Sequence, residues 1–165
     1  MPNITLCGFM GSGKTTVGKK LAGMLGYDFI DTDAEIEKCA GMPISEIFKK
    51  MGENCFRRME SDIIKKLSRF DNQVISVGGG AVINSENAHK LKSFSMLVFL
   101  DIDADTVLKR LSGDDTRPLL SGSDKYRKVT ALLSQRRPIY IAVADMIIDG
   151  RGDAKHVAEK IAESI

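Results

Sequence analysis

Gly8-Phe9-Met10-Gly11-Ser12-Gly13-Lys14-Thr15-Thr16 is the stretch in which residue type and spacing carry the most chemistry. It fits G-x-x-x-x-G-K-[ST]. The glycines let the backbone wrap with its N–H groups inward, and a helix starting near Lys14 adds its positive end. Such a loop cradles phosphate through Gly11, Ser12, Gly13 and Thr16. Lys14 reaches the β- and γ-phosphates, and the Thr15 hydroxyl ligates Mg²⁺.

Other chemistry-bearing groups recur along the chain. Asp31-Thr32-Asp33 follows the short apolar run Asp28-Phe29-Ile30. One carboxylate there can hold Mg²⁺ through water, and the other can accept a hydroxyl proton. Capping of a helix by Thr32 or Asp33 is the competing role. Arg57 and Glu60 share one side of a helix, either as a surface ion pair or as the edge of a pocket where an Arg fork suits a carboxylate. Gly78-Gly79-Gly80 ends a strand, which points to close approach of backbone to a ligand. Residues 112–124 form a polar, Gly-containing loop around Arg117, which fits a lid over phosphate. Arg136 falls on the apolar face set by Val129, Leu133 and Tyr140, so it needs either a protein carboxylate or a ligand anion. The turn Asp149-Gly150-Arg151 could flank a nucleotide base.

The elements that must hold these groups follow from the apolar pattern. Residues 3–7, 28–30, 73–77, 96–100 and 144–148 are continuous apolar runs, as buried parallel strands should be. Helices separate them, so the expected fold is a three-layer α/β domain with right-handed crossovers. Gly26 stops the first helix. Residues 34–52 divide into two short helices at Gly41-Met42-Pro43, the second opened by Pro43 or Ser45. A helix over 53–70 buries Phe56, Met59, Ile63, Leu67 and Phe70. The helix from about 125 is expected to kink or break near Pro138. A last amphipathic helix covers 154–164. Ligands in such sheets sit beyond the carboxyl ends of the strands, where the glycine loops and the aspartates converge.

Composition narrows the function. The 165 residues suggest one domain, and a net charge of +2 argues for neither nucleic acid nor membrane. Three cysteines without metal-ligand spacing fit a reducing, cytoplasmic setting. Cys7 should be a small core residue, and His89 and His156 surface residues. No apolar run nears the ~20 residues a transmembrane helix needs, and no secretion signal is evident. An N-K-x-D base-reading motif is absent, which argues against a GTPase.

Taken together, the set resembles the shikimate kinase family, within the nucleoside-monophosphate-kinase-like P-loop group. The matching pieces are Gly8 to Thr16, Asp31-Thr32-Asp33, Phe56-Arg57-Arg58-Met59-Glu60, Ser76-Val77-Gly78-Gly79-Gly80, Arg117-Pro118-Leu119-Leu120 and Arg136-Arg137-Pro138-Ile139-Tyr140. The resemblance implies a P-loop kinase fold with a five-stranded parallel sheet in order 2-3-1-4-5. It implies one domain over 1–165, with a substrate-binding region at 34–60 and a mobile lid at 112–124. The implied reaction moves the ATP γ-phosphoryl to the 3-hydroxyl of shikimate, on the route to aromatic amino acids. Asp33, Arg57, Gly78, Gly79, Gly80 and Arg136 would bind shikimate. Arg57 and Arg136 would clamp its carboxylate, Gly79 would donate a backbone N–H, and Asp33 would orient or deprotonate the nucleophile. Thr15 would ligate Mg²⁺, with Asp31 behind a water. Lys14 and Arg117 would stabilise the transferring phosphoryl. Arg110 would stack near the adenine, with Arg151 a second candidate, and the enzyme would be a monomer.

A kinase for another polyol, such as gluconate, shares the loop and the size. A non-catalytic nucleotide-binding module would not need Asp33, Arg57 or Arg136. If Arg117 acts on the transferring phosphoryl, Arg117→Ala should lower kcat far more than it weakens shikimate binding. Steady-state kinetics beside a shikimate Kd measurement would separate the two, and equal losses would count against the lid role.

Overall fold

β1 (Asn3–Cys7), β3 (Gln73–Ser76) and most of β4 (Ser95–Asp101) are buried because helices cover both faces of these central strands. The edge strands β2 (Asp28–Asp31) and β5 (Met146–Asp149) are only half covered, and Ile147 is 49% exposed. The computed structural model describes residues 2–112 and 124–165. Its one described sheet has the order β2-β3-β1-β4-β5, and every neighbouring pair is parallel. All five carboxyl ends therefore open on one edge. The proposed lid residue Arg117 lies outside the described residues.

The helices form two outer layers. On one face, α1 (Lys14–Leu25) and α8 (Ala154–Glu163) bury Val17, Leu21, Val157 and Ile161 against Ile4, Leu6, Val98 and Leu100. On the other lie α2 (Thr32–Ala40), α3 (Ile44–Met51), α4 (Glu53–Leu67), α5 (Ser85–Lys92), α6 (Ala104–Arg110) and α7 (Lys125–Val143), around Phe9, Ile75, Leu97 and Phe99. Glycines close α1 and α2 in the left-handed conformation, at Gly26 (φ 67°) and Gly41 (φ 68°). Cys7 is buried, and burial pushes its thiol up to about 12, so it packs as a neutral core residue. His89 and His156 are exposed.

Several boundaries differ from the sequence pattern for local reasons. Neither Thr32 nor Asp33 caps α2. Asp31 does, accepting the N–H groups of Asp33 and Ala34, so the helix starts at Thr32. The helix expected over 53–70 ends at Leu67, and Phe70 is 54% exposed. Buried Asn3 ties that turn to the sheet: its amide donates to Phe70 O and accepts Gln73 N–H. The strand expected from 144 begins at Met146. Asp145 intervenes with its carboxylate, which accepts Leu97 N–H at 2.9 Å and pairs with Lys92 at 2.8 Å. Pro138 does not break α7, which runs through it to Val143.

The sheet sets the start of the phosphate loop tightly. Gly8 leaves β1 with φ 147°, and a Cβ there would lie 2.8 Å from the Leu100 carbonyl oxygen of β4. Backbone cannot step aside as a side chain end can. Gly8→Ala is therefore expected to lower the unfolding free energy by about 1–3 kcal/mol, measured by urea titration.

Candidate active site

The phosphate end of the site is built from backbone. Gly11 (φ 77°) and Gly13 (φ 90°) turn the chain between β1 and α1, and Val17 N–H donates to Gly13 O as the helix begins. Lys14 folds back over its own loop, donating to Gly8 O at 2.8 Å and Phe9 O at 3.0 Å. Its ammonium thus rests against loop carbonyls at the mouth of the N–H cradle. Ser12 is fully buried, whereas Thr15 and Thr16 line the cleft. The Thr15 hydroxyl donates to Asp31 Oδ2 at 2.8 Å, while Asp31 Oδ1 holds the start of α2. One carboxylate therefore ties the loop to β2 and α2.

The other end is built from side chains. Glu60 on α4 is fully buried. Its Oε1 accepts from Arg57 Nη1 at 3.0 Å, and its buried Oε2 has no hydrogen-bond partner among the described residues. Asp33 and Arg136 face the same carboxyl. Burial pushes Glu60 up to about 7, against the opposing pull of Arg57. Arg57 also reaches Glu53 at 3.4 Å and lies over the Phe56 ring. The pocket-edge reading of Arg57 and Glu60 holds over the surface-pair reading. Arg57 and Arg136 thus line the cleft beside a carboxyl that is costly to ionise, and their guanidinium forks suit an anion.

Side chains at Gly78 and Gly80 would meet the charged ends of Asp33 and Arg57, whereas one at Gly79 would make only ordinary contact. A Cβ at Gly80 would lie 2.5 Å from Arg57 Nη1, and one at Gly78 would lie 2.9 Å from Asp33 Oδ1. One at Gly79 would lie 3.4 Å from Arg136 Nη1. The expected close approach is therefore in part an approach to the site's own charges.

A cleft of about 780 Å³ joins the two ends. It brings together Gly11, Gly13, Lys14, Thr15, Thr16, Asp31, Asp33, Arg57, Gly78, Gly79, Gly80 and Arg136. One wall comes from Ala34, Ile44, Phe48 and Phe56. Arg110 lies beside the phosphate loop, donating to Gly11 O and Gly150 O at 3.0 Å each. Its edge is used, which fixes the guanidinium plane. Arg151 lines a separate cleft of about 530 Å³. There it bonds Asp149, whose carboxyl it holds down at about 2, and reaches Asp103. Arg137, next in the chain to Arg136, turns outward to a two-pronged pair with Asp101.

Sequence reasoning underrated Glu60 and Tyr140. Glu60 sits one step from its helix's apolar stripe, so its spacing suggested a partly solvated group. Helical spacing puts Tyr140 on the apolar face but gives no sign of its hydroxyl, which donates to Gly79 O. The signal available for both was a polar group at a core position.

A parallel 2-3-1-4-5 sheet, a phosphate loop after β1 and an anion-seeking pocket across one cleft define a P-loop small-molecule kinase. The shikimate kinase family model matches residues 10–165, and the chain belongs to that family. It is 49% identical over 140 residues to a shikimate kinase of Caldicellulosiruptor bescii, covering 85% of this chain and 81% of the relative. It is 42% identical over 165 residues to that of Caldanaerobacter subterraneus, covering 100% and 94%. Among solved structures, the shikimate kinase of Acinetobacter baumannii in complex with shikimate superposes with a TM-score of 0.96 at 39% identity, covering 99% of this chain and 92% of that one.

Glu60 gives a pH prediction. Unfolded, it titrates near 4.5; folded, it keeps its proton to about 7. The folded state binds more protons between these values, so stability falls as pH rises through that window and is level above it. The full effect is at most on the order of 3 kcal/mol. Glu60→Gln should flatten this fall, checked by Tm at pH 5 and pH 7.5 for both proteins.

Proposed function

We propose that this protein transfers the γ-phosphoryl of ATP to the 3-hydroxyl of shikimate, giving shikimate 3-phosphate and ADP, in the route to chorismate and aromatic amino acids. The observation that carries the reading is that Arg57, bonded to the buried Glu60, and Arg136 line one cleft whose other end is the phosphate loop. A carboxylate-bearing polyol supplies the anion that this field suits. Its ring hydroxyls would meet Asp33, and its carboxylate would meet the two guanidinium groups. The glycine N–H groups would bind the acceptor beside them. Region 34–60, which gives the cleft Ala34, Ile44, Phe48, Phe56, Arg57 and Glu60, would form the acceptor's wall.

Each residue then has a task. Gly11, Ser12, Gly13 and Thr16 present backbone and hydroxyl donors to the phosphates, and the start of α1 adds its dipole. Lys14 would leave the loop carbonyls for the phosphate oxygens. Asp33 would orient the attacking hydroxyl and take its proton as the new P–O bond forms and the β–γ bridge breaks. Arg117, placed here from the sequence alone, would close over the transferring group. Arg110, held by its edges, would offer its face to the adenine, with Arg151 nearby.

Mg²⁺ is proposed at Thr15 and, through water, Asp31. The fit is good: the hydroxyl can keep its hydrogen on Asp31 while its lone pair faces a hard cation. Phosphate oxygens and water would supply most of the ion's ligands. When bound, the ion would neutralise charge building on the phosphate oxygens. The protein is proposed to be a cytoplasmic monomer. Among the described residues no helix is long and apolar enough to cross a membrane.

The test is ADP release from Mg-ATP, coupled to a spectrophotometric assay, with and without shikimate. Release should depend on shikimate, and Asp33→Ala should lower kcat by roughly 10²-fold or more. Gluconate and nucleoside monophosphates run alongside. Release driven by one of them instead of shikimate would overturn the acceptor assignment.

A further inference from the structure

Tyr140 is buried completely on α7, one helical turn beyond Arg136. Its ring packs on Phe99 of β4 with centroids 5.0 Å apart, and its hydroxyl donates to the Gly79 carbonyl. The Arg136 guanidinium borders the same hydroxyl. Burial pushes the phenol up to about 12, so it stays a donor at neutral pH.

The neighbouring glycine carbonyls are held differently. Gly78 O accepts Ala81 N–H and Gly80 O accepts Ile83 N–H, both inside the 3₁₀ turn Ala81–Ile83. Gly79 O is held by a side chain from another element. Among the described residues, none of the three glycine N–H groups donates to a backbone acceptor. In a trans peptide the Gly79 C=O and the Gly80 N–H point opposite ways. A carbonyl drawn into α7 therefore turns the next N–H away from α7, on a loop that lines the cleft.

We infer that Tyr140 is a positioning residue for the acceptor: its hydroxyl fixes the Gly79–Gly80 peptide plane so that the Gly80 N–H faces the cleft, and it seats Arg136 beside that donor. The phosphate end, anchored on Gly8, Lys14 and Asp31, does not pass through this bond. The inference rests on the acceptor reading proposed above. Loss of the hydroxyl should therefore weaken shikimate binding selectively.

Tyr140→Phe keeps the ring and removes the donor. Shikimate KM and Kd should rise roughly tenfold, since one well-made hydrogen bond is worth about that factor. The KM for ATP and the ATP Kd, by fluorescence titration, should change less than about threefold. An unchanged shikimate Kd in a folded variant would overturn the inference. So would equal weakening of ATP and shikimate, which marks a general structural role. Should the variant not fold, amide exchange on the wild type decides: shikimate should slow exchange at Gly80, and no change there would overturn the inference. Failure of the wild type itself to bind shikimate would instead overturn the acceptor reading.

Discussion

Parallel pairing of β1 with β3 sets two glycine loops side by side at one edge of the sheet. Leu6 lies opposite Ser76, and Val77 N–H still donates to Leu6 O as the strands end. Beyond that bond the chains part into the phosphate loop and Gly78-Gly79-Gly80. The two loops remain neighbours: a Cβ on Gly79 would be in van der Waals contact, at 3.5 Å, with Gly8 O and Met10 N. Because both strands run the same way, α1 starts beneath one loop while α2, α4 and α7 bring charges to the other. An antiparallel partner would place its turn at the opposite edge.

The two ends of the cleft use different physics. At the phosphate loop the field comes from backbone N–H groups and a helix terminus, which cost no side-chain ordering and cannot titrate. At the other end it comes from Arg57, Arg136, Glu60 and Asp33 at close range. Fully burying Glu60 is unfavourable unless it is matched, and Arg57 at 3.0 Å matches only one of its oxygens. Burial holds Glu60 up at about 7, and Arg57 is shared between Glu60 and Glu53. In the proposed function a ligand anion would complete the arrangement, and the cost of burying Glu60 would be offset by binding.

The central strands, the phosphate loop and the glycine stops at Gly26 and Gly41 were legible because each rests on local chain chemistry. Apolar runs, αL caps and a G-x-x-x-x-G-K-T spacing do not depend on distant residues. The misplaced features depend on tertiary partners. Asp31 caps α2 through local bonds to Asp33 N and Ala34 N, and its other oxygen accepts from Thr15, a partner no spacing rule sees. Asp145 delayed β5 by bonding Leu97 across the sheet. Phe70 fell outside the stripe once Asn3 had ended the turn after α4. The four charges of the acceptor end come from three helices, so their convergence followed from the family resemblance more than from any one segment.

The glycine triplet shows why chemistry and packing are hard to separate here. None of Gly78, Gly79 and Gly80 has a positive φ, so left-handed backbone does not explain them. At Gly78 and Gly80 the missing side chains leave volume to Asp33, Glu60 and Arg57. An alanine at position 80 would displace a guanidinium rather than strain a turn. A loop this bare would lack a unique conformation by itself, because glycine loses more freedom on ordering than any other residue. Outside bonds must supply it: the 3₁₀ turn holds two carbonyls and Tyr140 holds the third. The room needed for the charges thus creates the need for the tyrosine, which links the polar side of the cleft to the aromatic core at Phe99.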